Sequence, residues 1–267
     1  MLKDVTLGQY FPGDTIVHKL DPRTKLLCVM LYIAEIFTAK TVGGVLLSFA
    51  TLAMAVILSK TTLRQLLKSM KPLLFIIILT FLLNLFYTTG DTLVKFWIFN
   101  ITRQGVYKSL QMVSRIVMLI CGSFLLTLTT SPLAITDGLE MLLNPLKTIK
   151  VPVHELSMMM SIALRFIPTL MEETDKIMSA QKARGADFET GSIFQRAKAL
   201  LPVLVPLFVS AFRRADELAT AMECRCYHGG SGRTRMKELK MESRDWLCIL
   251  LFVLLLAAVI TLRVLGI

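Results

Sequence analysis

The residue clusters that could do chemistry in this chain are few, and most fail on spacing. Metalloprotease chemistry needs two His on one helical face with a Glu beside the first, but His154-Glu155 has Met158 where the second His belongs. Glu172-Glu173 suggests a glutamate-type intramembrane protease, except that the Arg such a motif carries four positions after its second Glu is Ile177 here. No Gly-Lys pair occurs anywhere, so there is no phosphate-binding loop, and the chain is not expected to hydrolyse ATP alone. Cys224-x-Cys226-x-His228 offers three metal-ligand types in five residues. On a helix, however, its two thiols would lie about 200° apart around the axis, so no metal and no cofactor is expected.

Two further segments are more informative. Lys182-Ala183-Arg184-Gly185-Ala186-Asp187 and Glu223-Cys224-Arg225-Cys226-Tyr227-His228 each set an Arg between small side chains. Small neighbours let a helix end approach another surface while the guanidinium, a planar fork, reaches out to pair bidentately with a carboxylate. The competing reading is that each Arg only complements the negative end of its own helix, worth roughly 0.3 to 1 kcal/mol. Spacing alone favours that simpler reading. Glu35, in an apolar run, fits either a proton-coupled role or a carboxylate reaching the interface. Met158, Met159, Met160 and Met171 fit either a plain core or an adaptable contact surface.

The elements that position these residues belong to a membrane. Of 267 residues 54% are hydrophobic and only 18% charged, against roughly 25% charged in soluble domains. The net charge of +11 suits anionic lipid heads or acidic protein faces, and no nucleic-acid partner is expected. The five cysteines imply no disulfide framework, and the first 25 residues lack the features of a signal peptide. A bilayer core needs about 20 apolar residues of helix. Residues 26–39, 42–58, 72–87, 113–129 and 246–267 meet or approach that length. Lys3, Lys19, Arg23 and Lys25 before the first run, and Lys60, Arg64, Lys68 and Lys71 after the second, predict a cytoplasmic N-terminus and an extracytoplasmic C-terminus.

The expected organisation is residues 1–130 as an N-terminal segment with four spans, 131–245 as a cytoplasmic region, and 246–267 as the last span. The middle block holds 16 of the 30 basic and 14 of the 19 acidic residues. Residues 156–185 and 197–227 read as two long amphipathic helices with their apolar sides packed on the spans, bent at Pro168 and at Pro202 and Pro206. Gly191-Ser192 separates them. Gly229, Gly230 and Gly232 end the second, before a basic stretch with Arg233, Arg235, Lys237 and Lys240. A rival topology makes both helices spans, at the cost of Arg165 in mid-membrane and Lys182, Arg184, Arg196 and Lys198 outside.

Three stretches, GQYFPGDTIVHKLDPRTKLL (8–27), LRFIPTLMEETDKIMSAQKARGADF (164–188) and RRADELATAMECRCY (213–227), resemble the transmembrane T component of energy-coupling factor transporters, the EcfT/CbiQ family. The resemblance implies an all-α membrane protein of about five transmembrane helices with long kinked cytoplasmic coupling helices. It implies a non-catalytic subunit for vitamin or micronutrient uptake, whose partners are two ABC-type ATPases and a small membrane S component. By it Ala183, Arg184 and Gly185 form the first ATPase-docking motif and Cys224, Arg225 and Cys226 the second. The chain departs there, with Cys224 and Cys226 replacing the usual Ala and Gly. Met158, Met159, Met160 and Met171 are the expected S-component contacts. A self-contained channel or secondary transporter is the alternative.

Overall fold

The computed structural model describes residues 10–96, 99–188, 190, 192–229 and 239–266. Lys3, Gly8 and Gln9, and the linker residues Gly191, Gly230, Gly232, Arg233, Arg235 and Lys237, lie outside the described residues. The chain forms two compact units, one of Gly8–Leu139 with Leu239–Ile267, the other containing Glu140–Glu238.

The first unit is a bundle of apolar helices. A short α1 (Ile16–Lys19) precedes α2 (Pro22–Thr38), whose N-cap Asp21 accepts from the Arg23 N–H, with Pro22 at the first helical position where its missing donor costs nothing. A three-residue turn leads to α3 (Val42–Ser59), capped by Thr41. Then α4 (Leu63–Met70), a 3₁₀ turn (Lys71–Leu73) and α5 (Leu74–Tyr87) run on as one rod. An antiparallel hairpin of β1 (Thr92–Phe96) and β2 (Phe99–Thr102) follows, an addition to the all-helical expectation. The next helix, α6 (Arg103–Thr129), starts ten residues before the expected span, because the Thr102 side chain caps it through the Gly105 N–H. The last, α10 (Ser243–Leu265), is begun by reciprocal bonds between Glu242 and Asp245.

Helix directions can be read from polar contacts. The Asp21 N–H donates to Asp245 Oδ1 at 2.9 Å, so α2 and α10 start side by side. Lys25 Nζ reaches the Thr129 carbonyl at 2.9 Å, while Arg115 Nη2 reaches the Ala39 carbonyl at 3.0 Å, so α6 runs antiparallel to α2. Arg115, in the middle of α6, thus meets the C-terminal end of α2, and its guanidinium lies 5.9 Å from the Phe37 ring centre. Glu35 is fully buried and accepts from Thr51 Oγ1 at 3.4 Å, so it does not reach an interface. The core packs Tyr32, Ile36, Leu52, Met118 and Cys121 together. Gly122 makes this possible, because a Cβ there would lie 2.6 Å from the Tyr32 ring.

Among the described residues, five helical segments are long and apolar enough to cross a membrane: Val42–Ser59, Arg64–Tyr87, Arg103–Thr129, Phe194–Cys224 and Ser243–Leu265. The count matches the expectation but one member differs. The expected first span, α2, has only 17 residues, and the second long amphipathic helix qualifies instead.

That helix belongs to the second unit. Here α7 (Pro132–Leu143), which crosses from one unit to the other, leads through a 3₁₀ turn (Asn144–Ile149) to α8 (Val153–Ala183) and α9 (Ile193–Cys224). Both long helices run unbroken through their prolines. Ser192 and Gln195 start α9 as a reciprocal capping box, the Ser192 N–H donating to Gln195 Oε1 at 3.0 Å.

Candidate functional site: two arginine-tipped helix ends

A proline in a helix deletes one backbone donor and strands the carbonyl four residues earlier. In α9, Pro206 strands the carbonyl of Pro202, and Gln181 Nε2 of α8 donates to that oxygen at 3.4 Å. Eight residues back along α8, Glu173 Oε2 accepts from Arg214 Nη2 at 2.5 Å. Position 181 faces 202 and 173 faces 214, so the two helices pair antiparallel. In the sequence Glu173 reads only as part of a protease motif that fails on spacing. The stranded carbonyl, four residues before a second proline, was the available signal for this contact.

The antiparallel pairing sends the two arginines apart. Arg184 lies three residues beyond the Gln181 contact. Arg225 lies eleven beyond Arg214, at the opposite end, and α9 covers about 35 Å between Pro202 and Arg225 at ~1.5 Å per residue.

The two ends are built alike. At the end of α8, Arg184 is the C-cap, the Gly185 N–H bonds the Lys182 carbonyl at 3.0 Å, and the Ala186 N–H bonds the Gln181 carbonyl at 3.0 Å. Gly185 has φ +88°. At the end of α9, Arg225 is the C-cap, the Cys226 N–H bonds the Glu223 carbonyl at 2.8 Å, and the Tyr227 N–H bonds the Met222 carbonyl at 3.0 Å. Cys226 has φ +56°. Both are Schellman ends, with a left-handed residue immediately after the arginine. The Cys-for-Gly departure therefore leaves helix termination unchanged, with Cys226 held where glycine is preferred.

Ala183, Arg184, Gly185, Cys224, Arg225 and Cys226 are all exposed. No atom lies within 4 Å of a Cβ built on Gly185, so its small size is not required by contacts within this chain. Neither guanidinium has an ion pair to a described residue. Both thiols are free, and no group of three His, Cys, Asp or Glu among the described residues has metal-binding geometry. Of the four methionines, Met159 and Met160 are more than half exposed, while Met158 and Met171 are half-buried. Leu201, Leu204, Val205, Phe208 and Phe212 form an exposed stripe along α9. Among the described residues of this unit the amphipathic pattern is present, with these side chains exposed.

Fold and site together define a multi-pass α-helical membrane protein with two like, outward-facing arginine caps. Residues 13–237 match the family model CbiQ, described as a cobalt transport protein, and the chain belongs to that family. It is 52% identical over 258 residues, 95% of its length and 96% of the relative's, to the energy-coupling factor transporter transmembrane protein EcfT of Clostridium kluyveri. It is 52% identical over 244 residues to the EcfT of Thermosediminibacter oceani, covering 91% of this chain and 92% of that one. With the EcfT of Bacillus subtilis it shares 48% over 265 residues, 98% of this chain and all of that one.

Proposed function

We propose that the chain is the energy-coupling T subunit of an ECF-type importer in the bacterial cell membrane. It transmits the ATP-driven motion of two ABC-type ATPases to a membrane S component that carries a vitamin or other micronutrient. The subunit is itself non-catalytic. The observation that carries this reading is the pair of matching arginine caps facing away from each other on antiparallel helices. One partner groove could take one end, so two ends about 35 Å apart along α9 call for two partners. A free C-cap carbonyl end is negative, so an arginine there gains from its own helix and still has its fork for a partner carboxylate. Because Glu173–Arg214 and Gln181–Pro202 tie the helices, a push on either tip moves the pair as a rod.

The exposed methionines of α8 and the stripe of α9 supply the surface for the S component, Met158, Met159, Met160 and Met171 included. Residues 1–130 and 246–267 then form the membrane part and 131–245 the coupling part. The basic loops support a cytoplasmic N-terminus and an extracytoplasmic C-terminus. The Asp21–Asp245 contact supports an even number of crossings between the starts of α2 and α10. Crossings by α2, α3, α5 and α6 meet that condition, and α9 crossing by itself would break it.

The test is uptake in proteoliposomes containing the chain with its ATPases and S component. Arg184→Ala and Arg225→Ala each lower uptake while the protein still inserts. Unchanged uptake in the double variant would overturn the docking role.

A further inference from the structure

Two thiols distant in sequence meet inside the first unit. Cys28 Sγ of α2 lies 3.6 Å from Cys248 Sγ of α10, although the residues stand 220 apart in the chain. Contacts on both sides of the pair hold the two helices together. Toward the helix starts, the Asp21 N–H donates to Asp245 Oδ1 at 2.9 Å. One turn further on, Phe252, four residues after Cys248, packs against the core containing Tyr32, four residues after Cys28. The packing of α2 on α10 therefore sets the sulfurs side by side, and both are free thiols. A disulfide needs a separation of about 2.05 Å, so side-chain torsions must bring them about 1.5 Å closer.

The cavity that both cysteines line decides what can reach them. It has a volume of about 420 Å³, is formed wholly by the first unit, and is walled by apolar side chains such as Val29, Leu52, Leu125 and Phe252. Its two charged lining residues are already engaged, Lys25 by the His18 and Thr129 carbonyls and Arg244 by Glu242. An anionic reagent gains nothing there, whereas a lipophilic one gains by leaving water. Cys28 is only 7% exposed, so glutathione, a charged peptide, is also kept from its sulfur.

We propose that Cys28 and Cys248 are a redox-active dithiol, oxidised by a lipid-soluble quinone to a disulfide that clamps α10 to α2. Two S–H bonds break and one S–S bond forms. The two electrons and two protons released pass to the quinone oxygens, giving the hydroquinone. The new bond joins residues 220 apart, a long loop of the kind whose closure restricts the unfolded chain most.

The test uses the full-length chain in phosphatidylcholine proteoliposomes, reduced and then freed of reductant under nitrogen. One sample receives duroquinone, whose fully substituted ring leaves no carbon open to thiol addition. The other receives ferricyanide, an anion confined to water. Remaining thiols are alkylated in denaturant and the tryptic peptides weighed. Duroquinone is expected to join peptides 26–40 and 245–263, with the loss of two hydrogens, severalfold faster than ferricyanide. Dithiothreitol separates them, and wild type forms more hydroquinone than Cys248→Ser. In detergent the oxidised wild type melts several degrees above the reduced protein, while Cys248→Ser melts alike after either treatment. Recovery of both cysteines alkylated after duroquinone would overturn the dithiol. Equal rates with the two oxidants would overturn the lipid-side route, and a joined pair with an unchanged melting temperature would overturn the clamp. These readouts are independent of the arginine docking, since neither Arg184 nor Arg225 is changed.

Discussion

Exchanging the residues that follow the two arginines should move the two helix ends in opposite directions. Gly185 and Cys226 hold equivalent left-handed positions, at φ +88° and +56°. Adding a Cβ at 185 meets nothing within 4 Å, so Gly185→Ala carries only the conformational cost, about 1 to 2 kcal/mol. Cys226 already carries a cost of that kind, so Cys226→Gly should recover about 1 kcal/mol at its own end. The amides that report these changes are the ones closing each motif, Ala186 to the Gln181 carbonyl and Tyr227 to the Met222 carbonyl. In native-state hydrogen exchange of the subunit in detergent, Gly185→Ala should speed exchange at Ala186 by about 5- to 30-fold, while Cys226→Gly slows it at Tyr227 by about 5-fold. Changes of the same sign at both ends, or none at either, would refute the equivalence of the two caps.

Three other outcomes follow from the packing. Gly122→Ala drives a methyl into the Tyr32 ring, whose hydroxyl is tied to the Ser48 carbonyl, and should cost about 1 to 3 kcal/mol, read as a lowered melting temperature in detergent. Glu173→Gln removes a half-exposed ion pair between α8 and α9 and should cost only about 0.5 to 1 kcal/mol, read as faster exchange in the middle of both helices. His18 is held below its ordinary 6.5, first by burial and then by the nearby Lys25 ammonium. The unfolded segment therefore binds a proton more readily than the folded one, so the stability of the N-terminal anchor is full above about 6.5 and falls as pH drops below it. Corrected for its intrinsic rate, exchange of the Phe11 amide, which bonds the Leu128 carbonyl, should rise between pH 7.5 and 5.5, and His18→Gln should abolish that dependence.

Much of this was legible in the sequence. Runs of apolar residues and the basic loops predicted a bundle of about five spans, and the 3.6-residue period predicted the two long helices within three or four residues of their ends. The arginines between small residues were visible too. That both helices terminate in the same geometry was not, because a Schellman end is read from a glycine, and Cys226 hides the second one. Length and hydropathy rank α9 above the 17-residue α2 as a candidate span, and they do not register that α2 is tied near its two ends by Lys25 and Arg115. The ion pair of Glu173 and Arg214 joins residues 41 apart, beyond any local pattern.

The central claim, one partner ATPase per arginine, is tested most directly by native mass spectrometry of the complex purified in mild detergent. Wild type should retain two nucleotide-binding subunits, Arg184→Ala and Arg225→Ala should each retain mainly one, and the double variant none. Two ATPases retained on the double variant would contradict the account.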